Sequence, residues 1–397
     1  MLDTILALMC LTPPWGQAPA GPWVRHTVDD ASRGADGVRL GFANGDALPD
    51  VVTGWEEGGE VRVCLNPGAG FARERWPAVA VGEVASVEDA VFVDLDADGR
   101  QDVVSCCEGN ARVMFVHWAP SDPAEYLSSG AWTTRPLPAS DGLMQWMFCV
   151  PLQVDGQRGI DLIAGGKGPG AAIGWFESPT DPRDLAAWRW HPLCDAGWIM
   201  SLVLSDMDGD SDLDVLATDR YGDHRGCFWL GNPGPPAADS WPVHRMGLDD
   251  REVMFATLAD LDTDGLQDVL VAAKPYELVA LRRLDATGLR WERRTIPTPQ
   301  TAGGPKAVAA GDIDLDGRLD IVYTCEGAMG EKPGCLWLSR RDAPTDRAWD
   351  AHDISGPEGT KYDLLELLDL DADGDLDVLT CEETDDLGVF WYENPTR

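Results

Sequence analysis

The chain has 397 residues, a hydrophobic content of 44% and a formal net charge of −37. That hydrophobic share is normal for a folded protein, which argues against disorder. A field this negative, with no basic stripe, argues against nucleic acid as a partner. No apolar run is long enough to span a membrane, and the length suits a closed array of repeats used as one unit better than one small domain.

Residues 1–20, MLDTILALMCLTPPWGQAPA, have a short apolar core and a run of small residues near Ala18 and Ala20. This is the layout of a secretory leader, although it lacks Lys and Arg and carries Asp3. The reading predicts a secreted, periplasmic or cell-surface protein, with residues 21–397 as a single folded unit. The next stretch, WVRHTV from Trp23 to Val28, reads as a strand.

From there one pattern recurs. FANGDALPD (42–50) is a degenerate first copy. DLDADGRQDVV, from Asp94, is the clearest copy: Asp94, Asp96, Asp98 and Asp102 stand at loop positions 1, 3, 5 and 9, with Gly99 at position 6. QVDGQRGID (153–161) is again degenerate. Then come Asp206, Asp208, Asp210 and Asp214 with Ser211 in place of Gly; Asp260, Asp262, Asp264 and Asp268; Asp312, Asp314, Asp316 and Asp320; and Asp369, Asp371, Asp373 and Asp377. Alternate carboxylates on a tight loop converge on one centre and suit a hard cation with oxygen ligands, Ca²⁺ before the smaller and stricter Mg²⁺. Without an ion such carboxylates repel one another. An EF-hand would need Glu at position 12 and flanking helices. Here position 12 is Ser105, Ala217, Val271, Tyr323 and Thr380, and the flanks are β-rich runs. Units 1 and 3 have lost their first Asp and are expected to bind weakly or not at all.

Aligned on position 9, the units fall at Asp50, Asp102, Asp161, Asp214, Asp268, Asp320 and Asp377, with spacings of 52 to 59 residues. Each unit offers four short strands: one into the loop, one out of it, an aromatic third run such as VFWYENP, and a fourth opening on Trp. Such units are blades of a β-propeller. The last unit stops after its third strand. Its missing fourth strand is WVRHTV, which predicts an all-β, seven-bladed propeller of four-stranded antiparallel blades, the last blade closed by the N-terminal strand. Ten Cys show no disulfide spacing; Cys325 and Cys335 alone look able to pair.

The D-x-D-x-D-G-x-x-D loops and WYENP-type strand ends make the chain resemble the FG-GAP/VCBS repeat propellers, including that of integrin α subunits, from Trp23 to Asn394. The resemblance implies calcium in the loops, on the face away from the usual ligand face. It leaves function open among adhesion modules, lectins and lyases.

The opposite face carries the loops between second and third strands. Six residues after each aligned Asp stand Glu56, Glu108, Lys167, Arg220, Lys274, Glu326 and Glu383, with Glu382 beside the last. Cations gather in units 3 to 5 and carboxylates in units 6, 7, 1 and 2. A sugar acid could place its carboxylate on Lys167, Arg220 and Lys274. Of 17 Trp, most belong to the repeat; Trp55, Trp146 and Trp198 fall near this face, where a ring could stack on a sugar or fill the propeller end. His26, His191, His244 and His352 follow the fourth-strand Trp at a fixed offset and read as structural. His224 is the one His in a ligand-face loop, near Tyr221 and Arg220. Either His224 or Tyr221 could serve as a base for proton abstraction, with Arg220 and Lys167 stabilising the charge. The leading expectation is a monomeric, calcium-stabilised propeller that binds carbohydrate. A lyase or dehydratase acting on uronate-containing sugars and a protein-binding scaffold are the alternatives.

Overall fold

The computed structural model describes residues 21–157, 159–235, 240–340 and 349–397. Residues 1–20, where the expected leader falls, lie outside the described residues. The rest forms seven four-stranded antiparallel sheets. Blade 1 comprises Ala35–Gly41, Asp50–Trp55, Glu60–Cys64 and Ala78–Glu83, and the same order repeats through blade 7 at Tyr362–Leu368, Asp377–Glu382 and Gly388–Glu393. First strands of successive blades touch all the way round, the first strand of blade 7 meeting that of blade 1. They therefore line the axis of a closed ring.

Blade 7 takes its outer strand, Val24–Asp29, from the other end of the chain. Its register sets Val24 against Glu393, His26 against Trp391 and Thr27 against Phe390. Trp23, almost fully buried, precedes this strand, and its N–H donates to the Ile354 carbonyl at 2.8 Å. Several bonds tie the closing blade to blade 1, among them Arg62 to Asp29 at 2.6 Å, the Trp76 N–H to the Val28 carbonyl at 3.1 Å and the Trp391 indole to the Ala72 carbonyl at 3.0 Å.

The repeated aromatics explain themselves in the core. The third-strand Trp packs on the fourth-strand His opposite it in four blades, stacked in Trp175–His191, Trp229–His244 and Trp337–His352 and tilted in Trp391–His26, with ring centroids 4.0–4.6 Å apart. Cross-strand pairs of this kind fix register.

Each first strand also breaks register near its start. The breaks fall at Asp36/Arg39, Val87/Asp89, Trp146/Phe148, Ile199/Ser201, Val253/Ala256, Pro305/Val308 and Tyr362/Leu365. A bulge re-aims a side chain and bends the strand, and here it does so at the same height in every blade.

The nine described cysteines are free. Cys335 stands opposite Thr324, not Cys325, so the one disulfide the sequence suggested is not made.

Candidate functional site

Alternation of strand direction places the loops between first and second strands on one face and those between second and third strands on the other. The acidic loops occupy the first face. In four of the five full loops, position 4 is a non-Gly residue at positive φ (Ala97, Thr263, Leu315 and Ala372, 59° to 61°) and position 6 a Gly at 83° to 94°. Blade 4 exchanges the two, with Gly209 at 83° and Ser211 at 80°, so the conformation survives the absent glycine. The position-1 carboxylate accepts backbone N–H groups across the loop, as Asp94 does from Asp98 and Gly99 at 3.1 and 3.0 Å.

Carboxylate oxygens from Asp94, Asp96 and Asp102, from Asp206, Asp208 and Asp210, and from Asp260, Asp262 and Asp268 approach within 4.8 Å of one another. Asp262 Oδ1 and Asp312 Oδ1 are buried with no hydrogen-bond partner. An all-oxygen donor set with orphaned carboxylate oxygens fits a hard divalent cation. Asp264, Asp314, Asp316, Asp320, Asp369, Asp371, Asp373 and Asp377 hold the equivalent places in their loops.

Position 9 has a second role that spacing alone did not disclose. In all seven blades its Oδ2 accepts the N–H of the second loop residue, at 2.7–3.3 Å. In blades 1 to 5 and 7 its Oδ1 also accepts the N–H that follows or ends the third strand, at 2.7–2.9 Å. This buried aspartate staples three strands together, which accounts for Asp50 and Asp161 standing in loops that have lost the first Asp and keep only one other carboxylate, Asp46 and Asp155. In blade 3 the Gln153 amide spans the degenerate loop, donating to the carbonyls of Gln157 (2.9 Å) and Gly159.

The opposite face gathers the other charges around the channel mouth. Lys167 pairs with Glu108 and sits 3.9 Å from Glu88. Arg220 meets Glu252 at 2.6 Å and Glu326 at 3.7 Å, and Lys274 meets Glu326 at 2.9 Å. Burial lowers Lys274, while Glu326, which burial would raise, is held low by Lys274. All three anticipated cations therefore lie on one arc, each already neutralised. No positive charge among them is left free for the carboxylate of a sugar acid.

Two anticipated tryptophans do not reach a ligand. Trp55 and Trp146 are 0% exposed; their rings fill the ends of the blades, because they sit within paired strands and not in the loops. Trp198 is half-buried, with Lys167 Nζ 4.3 Å and the Arg220 guanidinium 4.9 Å from its ring centroid. Glu382 is fully buried and organises its own turn, accepting from the N–H groups of Thr360, Lys361, Thr384 and Asp385 at 2.8–3.0 Å. The Tyr221 hydroxyl donates to Glu252 at 2.8 Å. Burial and that bond raise the Tyr221 pKa, the opposite of what a phenolate base needs. His224 is exposed, and the contact made by its backbone carbonyl is with Arg245.

A polar cluster at the axis was not anticipated. Fourteen residues before each aligned Asp, on the bulged first strands, stand Asp36, Glu88, Met147, Met200, Met254, Lys306 and Asp363. Four adjacent blades place charges there and the other three place methionine. Lys306 pairs with Asp363, both nearly fully buried. Burial works against ionisation of Asp363, but Lys306 and a hydrogen bond from Asp36 hold it low, while burial and Asp363 push Asp36 up. Burial likewise raises Glu88 to about 7. Carboxylate oxygens of Asp36, Glu56 and Glu88 lie within 4.8 Å of one another, and Lys361 pairs with Glu383 next to them. Reading the column at this offset would have shown the cluster in the sequence; type alone did not, since the position holds three chemistries.

Beside the cluster opens a recess of ≈ 570 Å³ across blades 5, 6 and 7, whose polar walls include Glu252, Lys274, Tyr276, Glu326, Thr360 and Thr384. No helix among the described residues is long and apolar enough to cross a membrane.

A family model described as FG-GAP-like repeat matches residues 43–105 and 260–323. Each match runs from one acidic loop to the second strand of the next blade, so the matched unit is offset from the blade by one strand. No curated protein matches the chain. Two FG-GAP-like regions on a seven-bladed ring, with the full acidic loop recurring outside them in blades 4 and 7, make this chain an FG-GAP repeat β-propeller.

Proposed function

We propose that this is an exported propeller, stabilised by Ca²⁺ in five loops, that binds a hydroxyl-rich carbohydrate on the opposite face. The fold and its repeats support a binding or scaffold role at the coarser level. The recess across blades 5 to 7 carries the finer reading. Its walls interleave carboxylates, the ammonium groups of Lys274 and Lys361 (each paired with a glutamate), two threonine hydroxyls and the Tyr276 ring. Vicinal hydroxyls both donate and accept, so they match such a wall; apolar sugar faces match an aromatic ring. Because Lys167, Arg220 and Lys274 are already paired, the favoured ligand is a neutral or amino sugar and not a uronate. The leader-like N-terminus supports export, and the oxygen-only loops support Ca²⁺.

Glycan-array binding of the full chain, followed by calorimetry on the best hits, tests the ligand class. Neutral or amino sugars should lead, and Glu326→Gln and Tyr276→Ala should each weaken binding roughly tenfold, as loss of one charged hydrogen bond or one stacking ring does. Binding confined to acidic sugars, or a blank array with capture of a specific protein, would replace this reading.

A further inference from the structure

We propose that three of the five cation loops carry a built-in competitor for their ion, an arginine paired with the position-3 carboxylate, so the loops fill in two groups. The inference rests on the calcium reading above.

The competitor comes from a different place each time. Arg183, in the segment before the outer strand of blade 3, crosses to blade 2 and meets Asp96 at 2.5 Å and Asp98 at 4.0 Å. Arg73, from the corresponding segment of blade 1, crosses to blade 7 and pairs with Asp371 and, at 2.9 Å, with Glu393. Arg282 lies on the third strand of blade 5 and pairs with its own loop, at Asp262 and, at 3.6 Å, Asp264. Blades 4 and 6 differ. Among the described residues no Arg or Lys pairs with Asp208 or Asp314, although His244 lies near Asp208.

The geometry makes this a competition and not a neighbouring contact. In Asp96 and Asp371 one position-3 oxygen already accepts the N–H of position 5, at 3.2 Å in both. The guanidinium takes the other, so an incoming ion finds both oxygens engaged; in Asp262, Arg282 takes Oδ2 and leaves the buried Oδ1 unpartnered, so there the handicap is the paired charge alone. Asp208 and Asp314 accept the same backbone N–H, also at 3.2 Å, and keep the second oxygen for the ion. Charge points the same way: four aspartates offer the ion four negative charges in blades 4 and 6, and effectively three where an arginine is paired. The number of ligand charges is what tunes affinity in such sites. The arginines are about one-third to one-half exposed, so the handicap is modest, roughly two- to fivefold in Kd for each loop.

The test is a Ca²⁺ titration of the chelator-stripped full chain by calorimetry. Two sites should fill before three. Arg183→Gln and Arg282→Gln keep the side-chain stem, and each should move one site into the tighter group. Asp206→Asn should remove a site from the tighter group. Melting curves in EDTA confirm that each variant is folded before titration. Five equivalent sites, unchanged isotherms in both Gln variants, or loss of a weaker site in Asp206→Asn would overturn the inference while leaving calcium binding intact. A flat wild-type titration would overturn both.

Discussion

Asp50 and Glu88 show how one side-chain chemistry serves opposite ends at this scale. Asp50 is buried in a loop that has lost the Asp at positions 1 and 3, and its carboxylate satisfies the N–H groups of Ala43 at 2.7 Å, Asn44 at 3.4 Å and Asn66 at 2.8 Å. Asp50→Ala leaves buried donors unpaired, so it should cost about 2–4 kcal/mol, whereas exposed Asp46→Ala should cost under about 0.5 kcal/mol. Denaturant melts compare them, and equal losses would remove the staple argument. Glu88 is the reverse case, a carboxyl that burial disfavours in its charged form, with Glu56 and Asp363 adding to that effect and Lys167 and Lys306 opposing it. It holds its proton to about pH 7 when folded and to about 4.5 when unfolded. Between those values the folded state binds more protons, so stability falls as pH rises and levels off above the folded value. Glu88→Gln should flatten that slope and raise stability at pH 8 by roughly 1–3 kcal/mol. An unchanged pH profile in the variant would show that Glu88 ionises freely. The loop aspartates were legible because five copies keep residue type and spacing. The axial charges were not, because selection of type at that column differs between neighbouring blades.

Strands, by contrast, were read almost completely from the chain, and for a physical reason. The blades repeat the same loop spacing, and four of them the same Trp–His pair, so one well-read unit calibrates the others. The inference that the last blade borrows its fourth strand came from counting strands, and the register of Val24–Asp29 against Gly388–Glu393 bears it out. Removing residues 21–28 strips a whole strand and buried Trp23 from blade 7. It should lower the melting temperature far more than removing residues 1–18, and indistinguishable melts would contradict closure. Bulges escaped notice because a single extra residue in a paired strand has no signature in hydrophobic alternation. The suggested Cys325–Cys335 bridge failed on the same ground: neighbouring strands were identified, but pairing depends on register to the residue.

At the scale of the whole molecule, charge and closure set the behaviour. A net charge of −37 opposes compaction through self-repulsion, and the ions proposed for the five loops would relieve part of it. EDTA should therefore lower the melting temperature and added Ca²⁺ restore it, by roughly 1 kcal/mol per loop at tenfold excess over Kd. Magnesium at equal concentration should restore less. Indifference to chelator would mean that the position-9 staples alone hold the loops.

The borrowed strand also has a cost in time. Val24–Asp29 emerges from the ribosome long before its hydrogen-bonding partner, Gly388–Glu393, which follows roughly 360 residues later. At ordinary synthesis rates the segment waits on the order of tens of seconds with its backbone unpaired. During that wait six blades can assemble without it, and the seventh cannot. A nascent chain stalled before residue 388 should thus present a bare sheet edge to chaperones or to a second nascent chain, and emergence of Gly388–Glu393 should act as the trigger that seals the wheel.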